Sequence, residues 1–239
     1  MSKPDRDKGS ARNMRRTANT RIGREIFNIA MKRSDGCDHD VVWLSPMKDD
    51  AGCPYKEYRD GPFVDKLFEA GIVTSMSRAE VKKSLSLFWP SRGPHWDGIA
   101  YDKLTGNVLI VEAKGHVSEI NSSCTATSAV SIKRIKDKLS EIAHKVFHVA
   151  DYNEDIWFKK FYQTANRLAM LWLFRYCLKI ENIRLVNLIF YGDDDVKGEC
   201  ELMFRDSLQK IHEKMGIGED HELFNYVVDV YVNAGELKF

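Results

Sequence analysis

The chain contains 239 residues, of which 44% are hydrophobic and 30% are charged, and its formal net charge is +1. A chain of this size can bury a full core, and its composition argues against disorder over most of its length. A net charge close to zero excludes a strongly basic protein that binds nucleic acid over its whole surface, so any such site must be local.

Cysteine usage and hydropathy indicate the cellular compartment. The five cysteines are scattered along the chain and include no C-x-x-C pair. This pattern predicts free thiols in a reducing cytosol, rather than a disulfide framework or a zinc cluster. No apolar run is long enough to cross a membrane, and the first residues lack the apolar core of a secretion signal. We therefore expect a soluble, cytoplasmic protein with no membrane partner.

The first 24 residues are strongly basic, with eight lysines and arginines against two aspartates. We expect disorder over about the first ten residues and a helix from about Ala11. The apolar face of that helix is expected to comprise Ile22, Ile26, Phe27, Ile29 and Ala30. Two interpretations are open. The segment is either an arm that contacts phosphates, with Arg15 and Arg16 as candidates, or a solvated tail, which we favour.

Residues 33–62 are rich in glycine and proline, which predicts a loop-rich segment. Within it, Cys37-Asp38-His39-Asp40 offers four potential metal ligands in a row. Consecutive residues cannot easily converge on one ion, so we expect a polar turn there. We divide the chain after this segment, into a basic N-terminal arm or helix with its loop-rich continuation (1–62) and a main domain (63–239).

Two short helices are predicted at the start of the main domain, over 63–70 and 77–88. Ser77 and Glu80 have the spacing of a capping box, in which each side chain bonds the backbone N–H of the other residue. Glu80 is therefore either a helix cap, which we favour, or a third carboxylate close to the strands that follow.

A predicted β-hairpin in the middle of the chain carries the candidate site. Its second strand is the short, β-rich run 108–111. If residues 103–106 form a four-residue loop, Asp97 lies directly opposite Glu112, with Cβ atoms about 4.5–5.5 Å apart. Period-two alternation places Lys114 on the same face as Glu112. Two carboxylates this close need a compensating charge. Three further polar residues flank the site in the sequence: His95, His116 and Glu119.

A Ser/Thr-rich connection (118–131) and an amphipathic helix (132–149) follow the hairpin. We expect the connection to be a mobile loop that faces the substrate. The charged side of the helix, which includes Lys133 and Arg134, is either a solvated outer face, which we favour, or a nucleic-acid contact.

Residues 155–180 are predicted to form a long, deeply buried helix. Its polar interruption, Gln163, Asn166 and Arg167, lies on one face and needs partners, which a catalytic site, a substrate or a neighbouring carboxylate would supply. A strand (184–191), a helix (204–215) and a strand (226–232) complete the chain. The predicted fold class is α/β (α+β), with a central mixed β-sheet flanked by helices.

The hairpin residues suit a metal ion that prefers oxygen ligands. Asp97, Glu112 and the carbonyl of Ala113 could bind Mg²⁺ (or Mn²⁺) together with waters and a substrate phosphate. Such an ion polarises a phosphoryl oxygen and lowers the pKa of a bound water. Lys114 would stabilise the developing negative charge or orient the attacking water. The chemistry predicted is hydrolysis of a phosphodiester.

Asp97, followed by Glu112-Ala113-Lys114 at the end of an apolar strand, resembles the PD-(D/E)xK nuclease superfamily, which has the restriction-endonuclease-like fold. The resemblance covers roughly residues 77–189. It implies an α-β-β-β-α-β core around a mixed sheet, with 63–239 as a restriction-endonuclease-like catalytic domain and 1–62 as an extra N-terminal helical segment.

The resemblance also implies roles for individual residues. Asp97 and Glu112 match the family's metal-binding acids, and Lys114 matches its active-site lysine. Glu80, with Glu69 in reserve, matches an acidic residue that many members add, and Gln163 matches a glutamine of some exonuclease-like branches. Trp96 stands where a proline would precede the aspartate. The Glu-x-Lys triplet alone is weak evidence, because it also occurs at 80–82 and 236–238.

Three functions are compatible with the sequence. The first is a Mg²⁺-dependent nuclease acting on nucleic acid, most simply DNA, as a homodimer or with a partner protein when both strands are cut. The second is a catalytically inactive protein of the same fold that binds nucleic acid or supports an assembly. The third is a purely structural ion-pair cluster in which Lys114 and Arg167 neutralise both carboxylates. It ranks last because buried networks of this kind are costly.

Overall fold

A computed structural model describes residues 9–47, 58–72, 76–90, 93–194, 198–218 and 220–238. Five strands form the main sheet and two form a separate short ladder. The strands are β1 (Val41–Ser45), β2 (Tyr58–Arg59), β3 (His95–Trp96), β4 (Gly98–Asp102), β5 (Val108–Lys114), β6 (Ile183–Tyr191) and β7 (Val227–Asn233). The α-helices are α1 (Gly9–Asn19), α2 (Arg21–Asp35), α3 (Asp60–Glu69), α4 (Arg78–Phe88), α5 (Ala129–Lys145), α6 (Tyr162–Trp172) and α7 (Glu201–Met215).

The main sheet has the order β1-β4-β5-β6-β7 and is mixed, as predicted. β1, β4 and β5 pair antiparallel, whereas β5, β6 and β7 pair parallel. A tight turn joins β4 to β5, and Gly106 in this turn has a φ of +72°, a conformation that glycine adopts without strain. Parallel neighbours need a longer crossover connection, which α5 and α6 supply between β5 and β6 and α7 supplies between β6 and β7.

Helices cover both faces of the sheet, so there are two apolar cores. On one face, Leu109, Val111 and the strands beside them pack against α1 and α2. On the other face, Ile110, which alternates with them, joins the larger core formed with α3 to α7. This second face carries the candidate site, because Glu112 and Lys114 follow Ile110 at intervals of two residues.

The N-terminal basic segment differs from the expectation of a solvated tail. Residues 9–35 form two helices, and Met14 and Ala18 of the first are almost fully buried against the sheet. Arg12 forms an ion pair with Asp193 at 2.7 Å, so one of the basic residues is part of the packed structure. The tail interpretation is therefore wrong for residues 9–24. The expected disorder of the first ten residues mostly concerns residues 1–8, which lie outside the described residues.

The apolar face predicted for this segment is only partly correct. Phe27 and Ala30 are buried, but Ile22 is 45% exposed and Ile29 is 53% exposed. The isoleucines form an apolar stripe of their own at helical spacing, one position before the residues that are buried, which are Gly23, Phe27, Ala30 and Met31. The helix actually breaks after Asn19, and Thr20 caps the second helix by accepting a hydrogen bond from the N–H of Gly23.

The segment predicted to be loop-rich contains a strand of the main sheet. β1 pairs with β4, and Trp43 of β1 lies in the same core as residues of α1, α2 and β4 to β7. The expected boundary at residues 62/63 therefore does not separate two sheets or two cores among the described residues. The side chain of His39 anchors the Cys37–Asp40 turn. Its Nε2 lies 2.9 Å from the carboxylate of Asp35, and its Nδ1 lies 2.8 Å from the carboxylate of Asp102.

The long helix predicted over 155–180 is interrupted twice. A π-helical turn (Asp155–Lys160) precedes α6, and a second π-helical turn (Leu173–Cys177) follows it. Phe161 separates the first turn from α6 with φ −125° and ψ 37°, so α6 has its own N-terminus directly before Gln163. The remaining predicted helices and strands are present, with ends shifted by a few residues.

Two further expectations concern cysteines and membranes. Cys37, Cys124, Cys177 and Cys200 are free thiols, as predicted, and Cys53 lies outside the described residues. Among the described residues, no helix has both the length and the apolar character needed to span a membrane.

Candidate active site

The hairpin register is the one predicted from the turn length. Gly98 pairs with Val111 and Tyr101 pairs with Val108. Asp97 directly precedes β4, so the same register places it opposite Glu112. The Asp97 carboxylate accepts a hydrogen bond from the backbone N–H of Ala113 at 2.7 Å, which fixes it beside the end of β5. The two carboxylates are therefore neighbours.

Glu112 is almost fully buried and is held by two cations. Arg167 donates to its Oε2 from Nε at 2.8 Å and from Nη2 at 2.5 Å, and Lys114 Nζ lies 2.5 Å from its Oε1. Burial raises the pKa of Glu112, but the charges of Arg167 and Lys114 outweigh burial and hold this pKa below its ordinary value. Glu112 is therefore ionised and fully paired.

Asp97 has the opposite electrostatic environment. Burial and the charge of Glu112 raise its pKa to about 8, although the Ala113 N–H and the charges of Lys114 and Arg167 oppose this shift. Among the described residues, no cationic side chain forms an ion pair or hydrogen bond with the Asp97 carboxylate. Among the described residues, the site thus contains one acidic group that is paired with cations and one that is not.

Lys114 connects the hairpin to α6. Its Nζ donates to Glu112 and to Oε1 of Gln163, the latter at 3.0 Å. Gln163 stands in the first turn of α6, whose N-terminus therefore points at the end of β5. The structure brings together Asp97, Glu112, Lys114 and Gln163, four of the five residues predicted to be catalytic, along with Ala113.

Arg167 was predicted among the nucleic-acid contacts, but its guanidinium is buried inside the site. Besides Glu112, it donates to the backbone carbonyl of His95 at 2.6 Å and to Oδ1 of Asn166 at 2.8 Å. It also lies 4.7 Å from the centre of the Trp96 ring. Arg167 therefore holds Glu112 in place and fastens the strand before Asp97, and it has no exposed donor surface for a nucleic-acid backbone.

Glu80 serves as a helix cap. Its carboxylate accepts hydrogen bonds from the backbone N–H of Ser77 at 2.8 Å and from the Ser77 hydroxyl at 2.6 Å, and these bonds lower its pKa. Both halves of the capping box are present, so the favoured interpretation is confirmed. Its carboxylate is exposed, and neither Asp97 nor Glu112 bonds it.

The other cationic candidates lie elsewhere. Lys133 on α5 forms an exposed ion pair with Asp137 at 2.6 Å, and Arg134 donates to the carbonyl of Ser86. Arg15 and Arg16 are half-buried on α1. The favoured interpretation of the α5 surface, a charged outer face, agrees with these local pairings.

The extra polar residues near the hairpin have structural contacts. His116 lies 2.9 Å from Oε1 of Glu199, and Glu119 accepts a hydrogen bond from the N–H of Gly115 at 3.1 Å. Glu199 also accepts from the N–H of Val117 at 2.8 Å. These bonds fix the chain as it leaves β5. The His95 side chain is exposed.

Two polar residues of the cleft between α6 and α7 were not predicted from the sequence, nor was a third residue that is bonded to one of them. Asn187 of β6 pairs with Glu112 across the sheet and donates to Oδ1 of Asp229 at 2.7 Å. Burial raises the pKa of Asp229. His212 of α7 lines the same cleft as Glu112 and Asn187. A signal was available, since Asn187 interrupts the apolar run 185–190 of β6.

The donor set fits a hard divalent ion. Asp97 has one carboxylate oxygen that is not bonded to Ala113, and a carboxylate offers about four lone-pair sites in all. The carbonyl oxygen of Ala113, the residue after Glu112 on β5, is a further candidate ligand. Among the described residues, no three His, Cys, Asp or Glu side chains converge to hold an ion. Mg²⁺ is commonly held by only one or two carboxylates plus waters and substrate oxygens, so two carboxylates and a carbonyl are sufficient.

Comparison with known proteins identifies no relative of this chain. Neither protein-family models nor curated proteins nor solved structures give a match.

Proposed function

We propose that this protein is a Mg²⁺-dependent nuclease that hydrolyses phosphodiester bonds, with DNA as its substrate. The observation that carries the proposal is the pair formed by Asp97 and Glu112. Two carboxylates meet at the end of β5, and one of them lacks a counter-charge. A structural ion-pair cluster would neutralise both acids, whereas here Lys114 and Arg167 both bond Glu112.

The topology supports the proposal. Helix α2 precedes the antiparallel strands β1, β4 and β5, and the helices α5 and α6 then lead to the parallel strand β6. This order agrees with the α-β-β-β-α-β core expected from the resemblance to PD-(D/E)xK nucleases. In this interpretation the first core strand is β1, so the catalytic domain begins before residue 63.

The proposed roles follow from the contacts. Asp97, Glu112 and the Ala113 carbonyl would hold the ion, which supplies charge stabilisation at the phosphoryl oxygens and a more acidic water. Lys114 donates hydrogen bonds at the edge of the carboxylate pair, so its ammonium can orient the attacking water or stabilise the negative charge that develops. Gln163 holds the Lys114 ammonium in place, and Arg167 keeps Glu112 ionised.

The test is a cleavage assay on linear duplex, circular duplex and single-stranded DNA and on RNA, each with Mg²⁺, with Mn²⁺ and with chelator. We expect metal-dependent cleavage that falls by about 10²–10³-fold in Asp97→Asn and in Lys114→Met. Asp137→Asn and Lys159→Met are matched controls, because each changes an exposed ion pair outside the site. Unchanged cleavage by both site variants would refute the assignment.

A second candidate is a non-catalytic protein of the same fold that binds nucleic acid or supports an assembly. The observation in its favour is that Glu112 is already fully paired by Lys114 and Arg167 without an ion. This candidate predicts that nucleic acid binds equally well with and without Mg²⁺ and is never cut. A cytoplasmic location and a homodimer or partner protein remain predictions of both candidates.

A further inference from the structure

The chain that follows β5 is fastened to the π-helical turn Asp155–Lys160 and to Tyr162 at the start of α6. We call residues 117–128 the connecting segment, and most of it was expected to be mobile. Instead, the N–H of Ser122 donates to the carbonyl of Lys160 at 2.8 Å, and the N–H of Cys124 donates to the carbonyl of Phe158 at 3.0 Å. In return, the N–H of Tyr162 donates to the carbonyl of Ser122 at 3.0 Å.

Ser122 supplies the N-terminal cap that the residue preceding α6 does not provide. The preceding residue, Phe161, makes no side-chain hydrogen bond at the helix N-terminus. The Ser122 hydroxyl accepts a hydrogen bond from the backbone N–H of Gln163 at 2.8 Å. The first N–H groups of a helix have no partner within the helix, so a side-chain oxygen that bonds one of them fixes the first turn.

This cap lies two hydrogen bonds from the candidate active-site lysine. Ser122 fixes the backbone of Gln163, and Oε1 of Gln163 accepts from Lys114 Nζ at 3.0 Å. Lys114 Nζ in turn lies 2.5 Å from Glu112. The ammonium is therefore located by two acceptors, one on its own strand and one whose position depends on Ser122.

A separate chain of contacts leads to Arg167, the second cation that holds Glu112. Cys124 and Asn166 lie beside the hydroxyl of Tyr162. Oδ1 of Asn166 accepts from Nη1 of Arg167 at 2.8 Å. Because Arg167 reaches Glu112 without Ser122, removing the Ser122 hydroxyl should disturb Lys114 while leaving Glu112 buried and paired.

We propose that Ser122 is a positioning residue of the candidate active site, which sets Gln163 against Lys114. This inference rests on the proposed nuclease function for its catalytic consequence, but the hydrogen-bond chain itself does not. Since Ser122 acts through Gln163 and Lys114, its loss should lower kcat and leave KM nearly unchanged.

The kinetic test compares Ser122→Ala with Ser128→Ala. Ser128 caps α5 through the N–H of Ser131 and belongs to the same connecting segment, but α5 contributes no residue to the site. We expect kcat to fall about tenfold in Ser122→Ala, to recover in Ser122→Thr, and to change less than about twofold in Ser128→Ala. Equal losses in both alanine variants would show that Ser122 has only a structural role.

A double variant tests whether the effect passes through Gln163. If it does, Ser122→Ala should cause no further loss of kcat in a Gln163→Ala background, because coupled residues are not additive. Additive losses would overturn the proposal.

A spectroscopic measurement separates this inference from the proposed function. In ¹H–¹⁵N spectra, Gln163→Ala identifies the side-chain amide signals of Gln163. These signals should shift in Ser122→Ala and stay in place in Ser128→Ala. If the wild-type protein cleaves no substrate, the proposed function fails, and an unshifted Gln163 signal would independently overturn the role of Ser122.

Discussion

Asp97→Asn should stabilise the metal-free protein at neutral pH although it removes a candidate metal ligand. The side chain keeps its shape, and the amide oxygen can still accept the hydrogen bond from the N–H of Ala113. Because burial and the charge of Glu112 raise the pKa of Asp97 from 3.8 to about 8, the folded state keeps the Asp97 proton at neutral pH, whereas the unfolded chain gains free energy by releasing it. The amide carries no charge and avoids that cost.

The magnitude follows from the size of the pKa shift. At 1.36 kcal/mol for each pKa unit between the unfolded-state pKa and pH 7, keeping the Asp97 proton lowers the stability of the fold by about 4 kcal/mol at pH 7 as an upper limit. Asp97 retains some contact with solvent, which reduces the expected gain in the free energy of unfolding to about 1–3 kcal/mol. This gain corresponds to a rise in Tm of about 2–4 °C per kcal/mol for a chain of this length.

The sign of the pH dependence gives a sharper test. The folded state binds an extra proton between about pH 4 and pH 8, so the stability of the wild-type protein falls as the pH rises through that range. The advantage of Asp97→Asn should be absent near pH 4 and largest above pH 8, when urea unfolding is measured in chelator. A variant that is less stable than wild type at pH 8, or that gains equally at both pH values, would refute this electrostatic explanation.

Three other substitutions test separate parts of the structure. Glu112→Gln leaves the buried Arg167 guanidinium without its anion and should lower the free energy of unfolding by about 3–5 kcal/mol, opposite in sign to Asp97→Asn. Gly98→Ala places a Cβ 2.8 Å from the buried Trp43 ring and 2.5 Å from the end of the Met14 side chain on α1, and should cost about 1–3 kcal/mol in urea unfolding. Burial lowers the pKa of His39, but the carboxylates of Asp35 and Asp102 outweigh burial and raise this pKa. Protonated His39 therefore stabilises the fold, and this contribution is lost as the pH rises above about 6.5. His39→Asn should therefore flatten the fall of Tm above that pH.

Each of these measurements has a control and a contrary outcome. Glu25→Gln removes an exposed ion pair with Arg21 and should change stability by less than about 1 kcal/mol. A similarly small effect of Glu112→Gln would mean that the site is solvated. Full stability of Gly98→Ala would contradict the packing of α1 on β4. The His39 measurement belongs in the Asp97→Asn background, since Asp97 also lowers stability over part of that pH range, and an unchanged slope there would contradict the ion pairs of His39.

The sequence could predict the hairpin because its determinants are local. The four-residue turn sets the register, and the period of a strand then places Asp97 opposite Glu112 and Lys114 on the face of Glu112. The apolar run of β5 likewise identifies a strand buried on both faces. Helical spacing identified Gln163 as a polar residue that needs a partner, and the resemblance to a nuclease family gave it a catalytic role.

The parts that were missed depend on contacts between distant residues. β1 is a five-residue strand in a Gly/Pro-rich segment, and its partner β4 lies more than 50 residues away. The burial of α1 depends in part on the ion pair of Arg12 with Asp193, which are 181 residues apart. Arg167 was named as a possible partner of the carboxylates, but only the folded chain shows that it bonds Glu112 and leaves Asp97 unpaired. Local sequence patterns carry no information about such pairings.

The most direct test of the central claim is a Mg²⁺ titration followed by thermal unfolding, because it needs no knowledge of the substrate. Wild-type protein should gain about 3–5 °C in Tm when Mg²⁺ is present at roughly ten times its dissociation constant. The exposed control Asp137→Asn should gain as much, and Asp97→Asn should gain almost nothing. Equal gains in Asp97→Asn and wild type, or no gain in either, would contradict a divalent-ion site at Asp97 and Glu112.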